Sequence, residues 1–149
     1  MAYIKDVLGS EWGNAEIAKP EGDRHQIIQW YQRFCQYQQE SKLPDGEIRS
    51  TEVNGLVSCY LGLAYNLYLL AHNVDLQTLM VTRLKDRSNF QGAFYELMIA
   101  GALIRAGYEL LLEDETDRRT KHCEFAAIHK ASGKRYSVEA KMRSVDGLL

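Results

Sequence analysis

After Gly107 the apolar residues of this chain change their spacing. Before it they recur at about the 3.6-residue period of a helix; beyond it they alternate residue by residue, as strand residues do. A chain with both periods in that order must be mixed α/β, with helices first and a sheet at the end. Asp23 is a good N-cap for a helix through about Glu40, with Ile27, Ile28, Tyr31, Phe34 and Cys35 on one stripe. Ser41-Lys-Leu-Pro-Asp-Gly-Glu then makes a loop. A long apolar helix is predicted from about Ser50 to Ala71, and a shorter one, capped by Asp75, to about Lys85. Ser88 or Asn89 begins the next, which runs to about Ala106 and stops at Gly107, a suitable C′ residue. Residues up to about Gly22 have weak periodicity and contain Gly9, Gly13 and Pro20, so they read as an irregular arm.

The strand-like runs are Tyr108 to Leu112, Cys123 to His129 and Arg135 to Arg143. Glu113 to Thr120 reads as an exposed loop, and Ala131-Ser-Gly-Lys134 as the turn of a hairpin. Along the third run Tyr136, Val138, Ala140 and Met142 face one way, and Ser137, Glu139, Lys141 and Arg143 the other. In the second run Glu124 shares its face with Ala126 and Ile128. With Ala131 to Lys134 as the loop, Glu124 lies opposite Lys141; a two-residue loop sets it opposite Glu139 instead. Both registers gather Glu124, Glu139 and Lys141 on one face, whereas a three-residue loop separates them.

Two neighbouring carboxylates repel, and one lysine offsets only part of that. A hard cation such as Mg²⁺ or Mn²⁺ relieves the repulsion and activates water against a phosphodiester. The plainer reading of the three residues is a cross-strand ion pair on a solvated hairpin. Glu96 is the other notable acid, being the only charged residue from Ser88 to Ile104. A carboxylate on so apolar a helix should be paired or near a cation, or else point to solvent from the helix edge.

Charge is distributed unevenly in the same direction. Between Arg118 and Arg143 eight Lys or Arg stand against two Glu, a local +6 in a chain of net charge −2, which leaves −8 elsewhere. Such a basic surface suits a polyanion, and Arg118, Arg119, Lys121, Lys134, Arg135 and Arg143 are the candidates to contact nucleic acid. A lysine-rich hairpin guarding its edges against aggregation accounts for the charge equally well.

With 149 residues, 46% hydrophobic and 26% charged, the composition is that of a globular protein and excludes disordered and collagen-like classes. The stretch Leu56 to Ala71 is interrupted by Ser58 and Asn66 and is too short for a membrane span. The N-terminus lacks the pattern of a secretory signal, so the expectation is a cytoplasmic protein without membrane contact. Cys35, Cys59 and Cys123 lack metal-ligand spacing and read as reduced thiols. His25, His72, His122 and His129 lack zinc spacing, and neither a phosphate-binding glycine loop nor a G-x-S-x-G elbow is present.

The order of elements carries the most specific signal. A helix with Glu96, a strand, a strand with Glu124 and a hairpin partner bearing Glu139-Ala140-Lys141 resembles the PD-(D/E)XK nuclease superfamily, the restriction-endonuclease-like fold. The resemblance covers about Asn89 to Arg143. It implies that Glu124, Glu139 and the Ala140 carbonyl hold Mg²⁺ or Mn²⁺, that Lys141 is the catalytic lysine and that Glu96 is an accessory carboxylate. The implied activity is metal-dependent hydrolysis of DNA. Cys123-Glu124 replaces the usual Pro-Asp, and the family core continues with a helix and strand where this chain stops at Leu149. The expectation is therefore a helical N-terminal region, residues 1–87, followed by a partial α-β-β-β nuclease core, residues 88–149, in a fragment of a longer protein. The N-terminal helices could serve a homodimer or a partner protein. The alternative is a non-catalytic helical interaction or nucleic-acid-binding protein with a degenerate nuclease-like core.

Overall fold

A computed structural model describes residues 2–47, 49–112 and 125–142. They form six helices and a three-stranded antiparallel sheet, a mixed α/β fold in the expected order. The helices are α1 (Ala2–Leu8), α2 (Ser10–Ile17), α3 (Gln26–Glu40), α4 (Gly55–Leu69), α5 (Val74–Lys85) and α6 (Phe90–Arg105). The strands are β1 (Tyr108–Leu112), β2 (Phe125–His129) and β3 (Arg135–Val138), in spatial order β1-β2-β3. No helix among the described residues is long and apolar enough to cross a membrane. The chain divides into two compact units, residues 1–65 and 66–149, and α4 runs from the first into the second.

In the first unit the segment expected to be an irregular arm is helical. Gly9, at φ 84°, separates α1 from α2, and burial of Ile4 and Leu8 outweighs the weak periodicity of so short a stretch. The start of α3 differs as well: Asp23 ends a 3-10 turn, and the buried His25 is the cap, its Nδ1 accepting from the Ile27 N–H at 3.2 Å. Its backbone N–H donates to Glu16 Oε2 at 3.0 Å, tying α2 to the head of α3. Helix α4 begins five residues later than predicted because Asn54 Oδ1 accepts from the Val57 N–H at 3.0 Å.

In the second unit α5 is capped by Asn73 rather than Asp75. Asn73 Oδ1 accepts from the Leu76 N–H, and its Nδ2 donates to the Leu110 carbonyl at 2.7 Å, which fixes the head of α5 to β1. Leu76, Met80 and Leu84 of α5 and Leu97 and Ala100 of α6 are buried, and both helices pack against β1. Asp86 shapes the α5–α6 link: Oδ1 accepts from the backbone and hydroxyl of Ser88, and Oδ2 from Asn89 Nδ2. The Ser88 hydrogen bonds, with those from Asn89, hold its carboxyl below the ordinary 3.8. A depressed acid stabilises the fold above its unfolded pKa, and that contribution is lost as pH falls through the folded value. Carboxyl NMR titration should therefore place Asp86 below 3.8, and Asp86→Asn should flatten the acid limb of the stability curve.

Gly101 allows the tightest approach in this unit. A Cβ there would lie 1.8 Å from Oδ1 of the buried Asn66, whose Nδ2 meets Met98 Sδ and whose Oδ1 accepts from Arg105 Nη1 at 3.1 Å. Gly101→Ala should thus cost about 1–3 kcal/mol, the usual penalty of forcing atoms into a filled core. Asn66→Ala in the same chain should recover part of that cost, which urea denaturation of the two single variants and the double variant would measure.

Candidate functional site

Gly107, at φ 87°, ends α6 as the C′ residue, and the chain turns directly into β1. Its carbonyl accepts from the Lys130 N–H at 3.0 Å, which joins the start of β1 to the hairpin loop. That loop is Lys130–Gly133, one residue earlier than the expected Ala131–Lys134. His129 N–H donates to the Lys134 carbonyl, Gly133 N–H donates back to the His129 carbonyl, and Gly133 takes the left-handed φ of 68°. The displacement follows from the glycine, which fits the last loop position, where other residues would be strained.

The ladder pairs Phe125 with Val138, Ala126 with Ser137, Ala127 with Tyr136 and Ile128 with Arg135. Its register is the one that a two-residue loop would also produce, reached here with four. Phe125, Ala127 and Val138 share one face with Leu110 of β1; Ala126, Ile128, Ser137 and Arg135 occupy the other. Phe125, Ala126 and Ala127 are all fully buried, so the central strand is covered on both faces at its start.

Glu139 and Lys141 follow β3. Their side chains meet in an ion pair of 2.9 Å, as expected for two residues of equal parity, and both are exposed. Ala140 between them is half-buried. Glu124, the other expected carboxylate, lies outside the described residues, as do His122, Arg118, Arg119, Lys121 and Arg143. Lys134 and Arg135 are exposed at the hairpin. His129 is half-buried; its Nδ1 is 2.9 Å from Ser132 Oγ and its ring lies 4.9 Å from that of Tyr108, so it belongs to the hairpin's own packing.

Glu96 is buried in α6 and held by Arg83 of α5 through two contacts, Nη1 to Oε2 at 2.5 Å and Nη2 to Oε1 at 2.7 Å. The need for a partner was legible in the apolar stretch around Glu96. Arg83 itself was not, since the pair joins two helices and no sequence spacing links them. Among the described residues no group of three or more His, Cys, Asp or Glu is arranged to hold a metal ion.

No protein-family model, curated protein or solved structure matches the chain. The functional reading therefore rests on its own residues.

Proposed function

We propose that the chain carries the core of a metal-dependent nuclease that hydrolyses phosphodiester bonds of DNA. The observation that carries this reading is the β2–β3 register. With Phe125 opposite Val138, Glu139 and Lys141 follow β3 at equal parity and their side chains meet. The helix–strand–strand–strand order of α6 and β1 to β3 supports the same reading, as does the exposed Glu139–Lys141 pair.

The donor chemistry suits a hard cation: two carboxylates, Glu124 and Glu139, with the Ala140 carbonyl between Glu139 and Lys141. Bound there, Mg²⁺ or Mn²⁺ would supply Lewis-acid activation of water and neutralise charge developing on the phosphate. Lys141 would orient the attacking water or stabilise the negative charge gathering around phosphorus. Arg118, Arg119, Lys121, Lys134, Arg135 and Arg143 would steer and hold the nucleic acid through its phosphates. Calorimetric titration with Mn²⁺ should give tighter binding to the wild type than to Glu139→Ala, whereas equal and negligible binding would count against the metal site.

A second reading is favoured by the pairing of Glu96. A carboxylate held by Arg83, together with an exposed Glu139–Lys141 ion pair, also describes a nuclease-like core retained for nucleic-acid binding or scaffolding without catalysis. Retention of DNA binding with no metal-dependent cleavage would select it.

A further inference from the structure

The first unit contains a cavity of about 180 Å³, and no hairpin residue lines it. Apolar side chains, including Ile4, Leu8 and Ile27, form much of its wall. Its size exceeds the roughly 150 Å³ of an engineered apolar cavity that admits benzene and falls below the ~300 Å³ at which drug-sized pockets begin. One ring or branched chain with a short substituent matches that space.

Its polar side chains are those of Lys5, Ser10, Trp12, Asn14, Tyr31 and Tyr60. Lys5 alone among the lining residues carries a formal charge; it is exposed, with Nζ 4.9 Å from the centroid of the Tyr31 ring. Tyr60 is only 2% exposed, lines the cavity, and its hydroxyl has no hydrogen-bond partner among the described residues. Burial pushes its pKa up, so it remains a donor. A cation and a tyrosine hydroxyl around a largely apolar space, with no acid among the lining residues, select an anion over a cation.

We infer that this cavity binds a small apolar monocarboxylate of the arylacetate type, its ring in the apolar space and its carboxylate held by Lys5 with the Tyr60 hydroxyl donating to it. This site is independent of the nuclease reading, since it involves neither Glu139 nor Lys141.

Isothermal titration of the whole chain with phenylacetate, its neutral isostere phenylacetamide and ring-free acetate tests the assignment. Saturable 1:1 binding of phenylacetate is expected, with the amide weaker by about tenfold, the difference that one charge-assisted contact makes, and no saturation by acetate. Lys5→Met, a change at an exposed position, should fold normally, bind phenylacetate about tenfold more weakly and lose the preference for acid over amide. Tyr60→Phe keeps the ring and removes the hydroxyl; it should weaken phenylacetate severalfold. No saturable binding of phenylacetate, equal affinities for acid and amide, or an unchanged preference in Lys5→Met would each overturn the assignment. Unchanged affinity in Tyr60→Phe would remove the hydroxyl from it.

Discussion

Arg83→Ala should destabilise the second unit by about 2–4 kcal/mol, read as a lower urea midpoint with little change in slope. Removing one partner of a fully buried ion pair costs about 3–5 kcal/mol, because the remaining charge keeps its desolvation penalty and loses its compensation. The Glu96 side chain is 4% exposed, but that of Arg83 is 33% exposed, so solvent screens part of the loss. Replacing both, as Arg83→Met with Glu96→Leu, should recover most of the stability, since matched apolar groups remove the penalty along with the pair. The same double variant bears on function. A nuclease in which Glu96 is an accessory carboxylate would lose activity while keeping its fold; a scaffold would lose neither. If Arg83→Ala changed stability by less than about 0.5 kcal/mol, the pair would be no stronger than a surface contact.

How far the sequence reached depended on whether a feature was local. The stop at Gly107 was legible because a positive φ after an apolar helix is a steric requirement of one residue. The parity of the hairpin was legible because alternation survives any even change of register. The loop boundaries were not: Gly133 could close the turn one residue earlier than the run Ala131–Lys134 suggested. The arm was misread because α1 and α2 have seven and eight residues, too few to display a period, and depend on tertiary burial of Ile4 and Leu8. Caps at His25 and Asn73 displaced the expected Asp23 and Asp75 through backbone geometry that composition does not encode. The Arg83–Glu96 pair and the contact of Asn66 with Gly101 join different helices, which places them beyond any reading of spacing along one segment.

Catalysis should show the largest effects. If the chain cleaves DNA, alone or within a longer protein, Lys141→Ala should lower the Mg²⁺-dependent rate by about two to three orders of magnitude, the scale set by removing one positioned group that acts on transition-state charge. Stability should hardly change, because the Lys141 side chain is 78% exposed and its pair with Glu139 is solvated. Glu139→Ala should abolish metal-dependent cleavage by removing a ligand and should reduce Mn²⁺ affinity in parallel. Lys141→Ala should leave metal affinity nearly intact or raise it slightly, since the neighbouring cation no longer competes for Glu139. Val138→Ala supplies the contrast: it is half-buried opposite the fully buried Phe125, so it should cost on the order of 1 kcal/mol of stability with little change in rate per folded molecule. Plasmid cut at the wild-type rate by both Lys141→Ala and Glu139→Ala would reduce the pair to the solvated contact that its exposure already permits.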